Sequence, residues 1–138
     1  MSGIGTRKLK IEIDGTEYTA EVSKAVVTSG ESDSDFLTFA GAAAGGRAYK
    51  LNIVGVQDAA TGSFWREVWD NAGDDVPITI MPYGNAVPTA AEPHFTATAT
   101  ISEPDGDFIG GEADSSTSAR MTIEVTWDLA AKPTMVTA

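Results

Sequence analysis

The sequence contains no cysteine and only one histidine in 138 residues. The absence of thiols excludes a disulfide scaffold, a zinc ribbon, an iron–sulfur cluster and a cysteine nucleophile. A single imidazole leaves no histidine-rich metal site, and a Ser-His-Asp triad would have to use His94. The length suffices for one hydrophobic core, so we predict a single domain over residues 1–138 that needs no cofactor to fold.

Long apolar runs are also missing. The apolar stretches are only a few residues long, whereas a helix needs roughly 20 apolar residues to cross a bilayer. The opening MSGIGTRKLK contains Arg7 and Lys8 but no apolar stretch behind them, so it is unlike a secretory signal. We therefore expect a soluble protein without a membrane partner.

Basic residues are scarce, since 9 lysines and arginines face 20 aspartates and glutamates, for a formal net charge of −11. This acidity argues against a protein that binds nucleic acid by neutralising its phosphates. The first 30 residues are balanced, because four acids are offset by four bases, Arg7, Lys8, Lys10 and Lys24. The later acids concentrate in residues 31–35, 58–75 and 103–114, which we interpret mainly as loops.

Apolar and polar residues alternate in several segments, as in half-buried β-strands. A hairpin is predicted around Asp14-Gly15, where Leu9, Ile11 and Ile13 precede the turn. Further strands are predicted over residues 47–57, 76–81, 95–101 and 121–127. The pattern predicts a mainly-β fold, an antiparallel β-sandwich or partly closed barrel with one flanking α-helix.

The predicted helix rests on one segment with helical periodicity. Its apolar residues recur one turn apart and are Phe64, Trp65, Val68 and Trp69. Thr61 or Ser63 is placed to cap its start, and Gly73 follows where a left-handed C-cap is expected. We expect the four apolar residues to pack on the sheet or on a neighbouring subunit.

Residues typical of catalysis are sparse. His94 follows Pro93 at the start of a predicted strand, and no nucleophile motif accompanies it, so we interpret it as an ordinary surface or strand-end residue. The acidic loops 33–35 and 103–107 lack the twelve-residue calcium pattern. No pair of carboxylates is singled out for glycoside hydrolysis. We predict no catalytic, cofactor-binding or metal site, and a protein that is not an enzyme.

Six short segments carry a further signal through their order and spacing. They are 35–40 (DFLTFA), 47–51 (RAYKL), 63–73 (SFWREVWDNAG), 80–84 (IMPYG), 93–97 (PHFTA) and 109–113 (IGGEA). Over roughly residues 8 to 128, this succession resembles the major tail tube protein of long-tailed siphophages, of the actinophage-like type.

The resemblance implies the phage tail tube fold, assembled into stacked hexameric rings around a lumen through which the viral genome is ejected. It implies a location in the virion tail tube after synthesis in the host bacterial cytoplasm. The implied partners are further copies of the chain and the tape-measure, tail terminator and distal tail proteins, while DNA passes without specific binding. An acidic lumen would repel DNA, although the acidity serves equally to keep the free subunit soluble.

Several segments are candidates for contacts between subunits. The insertion 29–46 is expected to stack rings, and its candidate interface residues are Phe36, Leu37, Phe39 and, just beyond it, Arg47. Alternatively, the three apolar residues belong to an edge strand of the subunit's own core. Flexible arms at 1–7 and 129–138 are expected to dock on neighbours. Polar strand residues are candidates for the lumen or outer wall, namely Lys8, Lys10, Glu12, Thr96, Thr98, Thr100 and Glu124.

Two other functions stay open at this point. The tryptophans are compatible with a carbohydrate-binding β-sandwich module, in which indoles form flat platforms for sugars. However, Trp65 and Trp69 share the helical apolar stripe, and Trp127 is in phase with the apolar residues of its strand, Met121 included, so we expect all three in the core or an interface. A related tube or neck protein of a contractile or secretion system would also form rings.

Overall fold

The alternation of apolar and polar residues builds one antiparallel β-sheet with a short helix against it. The computed structural model describes residues 3–31, 38–39 and 47–138. The elements in chain order are β1 (Lys10–Ile13), β2 (Thr16–Glu17), β3 (Val22–Glu31), β4 (Arg47–Val56), α1 (Phe64–Asn71), β5 (Asp75–Met81), β6 (His94–Thr100), β7 (Thr122–Leu129) and β8 (Thr134–Val136). A 3₁₀ turn, Thr19–Glu21, separates β2 from β3.

The strands lie in the order β2-β1-β5-β6-β7-β4-β3, and β8 pairs with β6 beside this path. All of these pairs are antiparallel. Among the described residues the outermost strands β2 and β3 do not pair with each other, so the sheet is open. The predicted mainly-β class with one flanking helix is confirmed.

One hydrophobic core joins both halves of the sheet. Ile11 of β1 and Ile78 of β5 enter it from one half, while Leu51 of β4 and Trp127 of β7 enter it from the other. Each such side chain contributes roughly 1.5–3 kcal/mol by leaving water. Since side chains alternate along a strand, the residues between them face away from the core. Because both halves of the sheet face this one core, the fold is sandwich-like.

The helix α1 covers this core as the sequence predicted. The Oγ of Ser63 accepts a hydrogen bond from the backbone N of Arg66 at 3.1 Å, and Gly73 follows the helix with a φ of 98°. Phe64 is fully buried between Tyr18 and Trp127, with ring centroids 6.0 and 5.9 Å away. These aromatic contacts fix the helix on the sheet.

The C-terminal residues differ from the flexible arm predicted at 129–138. Leu129 completes β7, and residues 134–136 fold back as β8, which places Thr134 opposite Thr96 and Val136 opposite His94. The physical reason lies in β6, because β7 reaches only its last two residues. β8 pairs with the backbone at the start of β6 that would otherwise be left without a partner.

The predicted insertion begins later than residue 29. Residues 29–31 continue β3 in register with β4, with Ser29 opposite Tyr49 and Glu31 opposite Arg47. The guanidinium of Arg47 donates to the Ser29 Oγ at 3.2 Å. This side-chain contact supports the pairing of residues 29–31 with β4, although their sequence lacks the alternation typical of a strand. The rest of the proposed insertion lies outside the described residues, apart from residues 38–39.

Met121 also departs from its prediction as an apolar strand residue. It precedes β7 and is exposed. Its carbonyl oxygen accepts a hydrogen bond from the backbone N of Gln57 at 2.9 Å. The pairing with the β4 side thus extends past the strand, while the Met121 side chain lies outside the core.

Candidate interaction surfaces

The strand β3 forms a long free edge of the sheet. Its residues pair with β4 on one side, and no described residue pairs with them on the other. A free edge presents backbone N–H and C=O groups that another chain can bind by adding a strand. With ten residues, β3 offers enough length for such pairing.

A polar row crosses the outward face of the sheet. Cross-strand register aligns Asp75, Thr100, Asp128, Lys50 and Thr28 on five successive strands. The Thr100 hydroxyl donates to the Asp75 carboxylate at 2.6 Å, and the Lys50 ammonium lies 3.8 Å from the Asp128 carboxylate. The row forms a continuous polar line across the face away from the core.

The predicted wall residues lie on this outward face, but in separate places. Glu12 is opposite Thr79, which is in turn opposite Thr96. Other candidates are dispersed, since Lys8 precedes β1, Lys10 is opposite Met81, Thr98 is opposite Pro77 and Glu124 is opposite Val54. The structure brings these residues onto one face without joining them into one site.

The helical apolar residues divide between core and surface. Phe64, Trp65 and Val68 are buried, whereas Trp69 is 52% exposed. The Trp69 ring stacks on Trp65 at 5.0 Å and contacts Phe108 at 4.9 Å between ring centroids. Trp127 is fully buried. The expectation of a core or interface position is therefore met for Trp65 and Trp127, while Trp69 forms an exposed aromatic surface.

Phe108 is a contact residue that the sequence analysis missed. The indole N–H of Trp65 donates to its carbonyl oxygen at 2.8 Å. The side chain of Gln57 binds the next turn of the same segment by donating to the Gly110 carbonyl oxygen at 2.9 Å and accepting from the Gly110 N at 2.7 Å. The one available signal was an aromatic–aliphatic pair, Phe108-Ile109, inside an otherwise acidic stretch.

The predicted stacking residues are only partly described. Phe36 and Leu37 lie outside the described residues. Phe39 is 97% exposed, and Arg47 is exposed at the start of β4, where it binds Ser29. An exposed phenyl ring costs free energy in water, so a partner surface would stabilise it.

An apolar groove of about 390 Å³ opens beside the core. Its lining includes Leu9, which precedes β1, and Val27, Tyr49, Ile80 and Phe95 from strands on both sides of the opening. Val27, Tyr49 and Phe95 are only partly buried. The core therefore extends to the surface at this end of the sheet.

His94 is a buried residue rather than a surface residue. It starts β6, as predicted, but β8 pairs beside it and leaves it only 7% exposed. Its Nε2 lies 2.8 Å from the Asn85 carbonyl oxygen. This contact ties the 82–93 loop to the sheet and gives the imidazole a structural role.

Carboxylates crowd around the exposed side of α1. Burial raises the pKa of Glu67 above its ordinary value, while a hydrogen bond to Asn71 acts in the opposite direction. The charges of Asp14, Asp70 and Asp74 add to the rise of this pKa. Burial and then the charge of Glu67 also raise the pKa of Tyr18. Negative charge thus accumulates where α1 meets the β1–β2 turn.

Metal ligands do not converge in the part of the chain that the structure describes, where no group of three or more histidine or acidic residues is placed to hold an ion. The helices of that part include none that could span a bilayer. In comparisons with known proteins, no family model and no curated sequence matches this chain.

Proposed function

We propose that this protein is a structural subunit that assembles into stacked hexameric rings, forming a tube of the kind that long-tailed phages use to eject their genome. The observation that carries the proposal is the ten-residue edge of β3 on an open sheet, an edge with which none of residues 3–31, 38–39 and 47–138 pairs. A free edge of this length invites uncontrolled pairing unless another chain covers it. Ring closure covers the edge in every subunit.

The segment order described above supports a tube in particular. Six segments across most of the chain follow the succession typical of siphophage tail tube proteins. The mainly-β sheet with one helix is compatible with this family. Hexamer formation, location in the virion and the tape-measure, terminator and distal tail partners follow from that resemblance.

Ring stacking would use the segment between β3 and β4. Its apolar residues Phe36, Leu37 and Phe39 match the apolar groove in chemistry, and the groove is open to a neighbouring copy. Insertion of aromatic and aliphatic anchors into such a groove is the usual source of affinity between subunits.

The outward polar face is a candidate for the lumen wall. Its residues include Glu12, Glu124 and Asp128, and the whole chain carries a net charge of −11. Like charge would keep DNA from adhering to such a wall during passage.

Negative-stain electron microscopy and light scattering of the purified chain at increasing concentration test the proposal. Hollow tubes or stacked rings of constant width are expected. A particle of constant 14.4 kDa mass at every concentration, also after addition of preformed tail-tip complexes as initiators, contradicts it.

Carbohydrate binding is a second candidate, and the exposed Trp69 is the observation that favours it. Its ring is 52% exposed and is supported from behind by Trp65, an arrangement that can present a flat face to a sugar. A titration of tryptophan fluorescence against polysaccharides tests this function. A saturable change that Trp69→Ala abolishes would favour it, and a flat titration would reject it.

A further inference from the structure

We infer that copies of this chain join head to tail, with an acidic segment of one copy seated in a basic groove beside the β3 edge of the next. The acidic segment is residues 103–114, and the basic groove is the cleft between residues 5–11 and 22–26. The inference rests on the proposed function, which requires self-assembly, and it names the two surfaces that meet.

The basic groove lies where the free edge of β3 faces the start of the chain. It encloses about 380 Å³, with Arg7, Leu9 and Ile11 on one side and Lys24 and Ala25 on the other. Arg7 and Lys24 are exposed, and neither forms an ion pair with a described residue. The groove thus combines a mixed apolar and polar lining with two cations that no described residue neutralises.

Backbone groups in the basic groove are also available. No described residue pairs with β3 on this side, and a register shift between Val22 and Lys24 interrupts its regular pairing with β4. Such a bulge changes the direction in which edge groups point. An extended segment that enters the groove would meet free donors and acceptors, an apolar surface and positive charge.

The acidic segment has the complementary chemistry. It contains no basic residue, and its five carboxylates belong to Glu103, Asp105, Asp107, Glu112 and Asp114. All five side chains are exposed, and none forms an ion pair with a described residue. In their midst Ile109 is 71% exposed, which supplies an apolar side chain suited to the lining of the groove.

The acidic segment is held in a defined position. The two hydrogen bonds between Gln57 and Gly110, with the bond from Trp65 to Phe108, fix its middle against the end of β4 and the helix. A segment ordered in advance loses less entropy when it binds. Because these anchors lie on elements other than those of the groove, the contact joins two different surfaces, and such a contact propagates into rings or filaments.

Charge distribution favours a second copy over a polyanion such as nucleic acid. The net charge of −11 repels nucleic acid and other copies alike at long range. A second copy, however, presents its carboxylates on a short, anchored stretch beside the exposed apolar side chain of Ile109, which matches the apolar part of the groove lining. Steering between opposite charges speeds such docking, and salt weakens it.

Charge exchange between the two surfaces tests the inference. Lys24→Glu and Glu112→Lys should each raise the subunit concentration needed for assembly about tenfold, because attraction becomes repulsion. The double variant K24E/E112K should return this concentration to within about threefold of the wild type. Glu92→Lys makes the same charge change at an exposed site outside both surfaces and should have no effect. Light scattering at low salt measures assembly, and circular dichroism checks the fold.

Carbodiimide cross-linking gives a readout that does not depend on tubes, since it joins lysine amines to carboxylates in direct contact. In a mixture of isotope-labelled and unlabelled wild-type copies, links from Lys24 to the acidic segment should appear between copies. Tubes without these links and without a charge-exchange effect overturn the inference and leave the tube function standing. If no tubes form but the links appear between copies, the inference is supported and the tube function is contradicted. If an oligonucleotide binds in the groove and no links form between copies, the inference is also overturned.

Discussion

Gly55 determines how closely the helix approaches the sheet. A Cβ at this position would lie 2.7 Å from Cδ2 of Phe64, so only glycine leaves room for the buried phenyl ring. The sequence identified Phe64 as an apolar helix residue and narrowed its cap to Thr61 or Ser63, of which the structure uses Ser63, because periodicity and capping are local signals. It did not identify Gly55, since a close approach between β4 and α1 depends on tertiary packing.

Replacing Gly55 by alanine should destabilise the fold by about 1–3 kcal/mol, because the added methyl group overpacks the contact with Phe64. Urea unfolding followed by tryptophan fluorescence measures the change. Gly30→Ala is the matched control, since Gly30 also lies in a strand and a Cβ there meets nothing within 4 Å. Equal midpoints for the two variants would contradict the packing argument.

Glu67 links single-residue ionisation to stability. Burial raises its pKa, so the folded state disfavours its charged form. The stability that this group contributes is fully present below its ordinary pKa, and it is lost as the pH rises through the higher value of the folded state.

Glu67→Gln should therefore raise the melting temperature at neutral pH, and the difference from the wild type should shrink as the pH falls below the ordinary glutamate range. Melting curves across this pH window measure it. The exposed Glu92→Gln serves as the control for loss of one carboxylate. A stabilisation of E67Q that is the same at all pH values would show that charge is not the cause.

At the scale of the elements, strands buried on one face were predictable and strands defined by their neighbours were not. β7 alternates strictly between buried and exposed residues, and the sequence gives this period directly. β8 has only three residues, and its role follows from the unpaired start of β6. The burial of His94 was missed for the same reason, because it depends on β8.

Removal of residues 133–138 should therefore lower the free energy of unfolding by about 2 kcal/mol, since it uncovers the start of β6 and breaks the hydrogen bonds of β8. Denaturant unfolding of the free subunit measures this effect. Removal of residues 137–138 alone, which lie beyond β8, is the control. An intact stability after the longer truncation would mean that this segment acts only on neighbouring subunits.

At the scale of the whole molecule, the interaction surfaces depend on which distant strands become neighbours. Period-two patterning correctly placed Glu12, Thr96 and Glu124 away from the core, because each strand carries that information locally. The free edge of β3, the apolar groove and the position of the acidic segment arise from long-range pairing. No local pattern encodes that pairing.

The free edge of β3 should be the most sensitive point for assembly. Val26→Glu places a negative charge on this edge and in the basic groove, where it opposes addition of a further strand and repels the acidic segment, and it should raise the concentration needed for assembly severalfold. Val26 is already exposed in the subunit, so the fold should remain intact by circular dichroism. Val87→Glu makes the same change at an exposed site in the 82–93 loop and should assemble like the wild type. If both variants assemble alike, subunits join through another surface, because a contact along β3 cannot accept the new charge without loss.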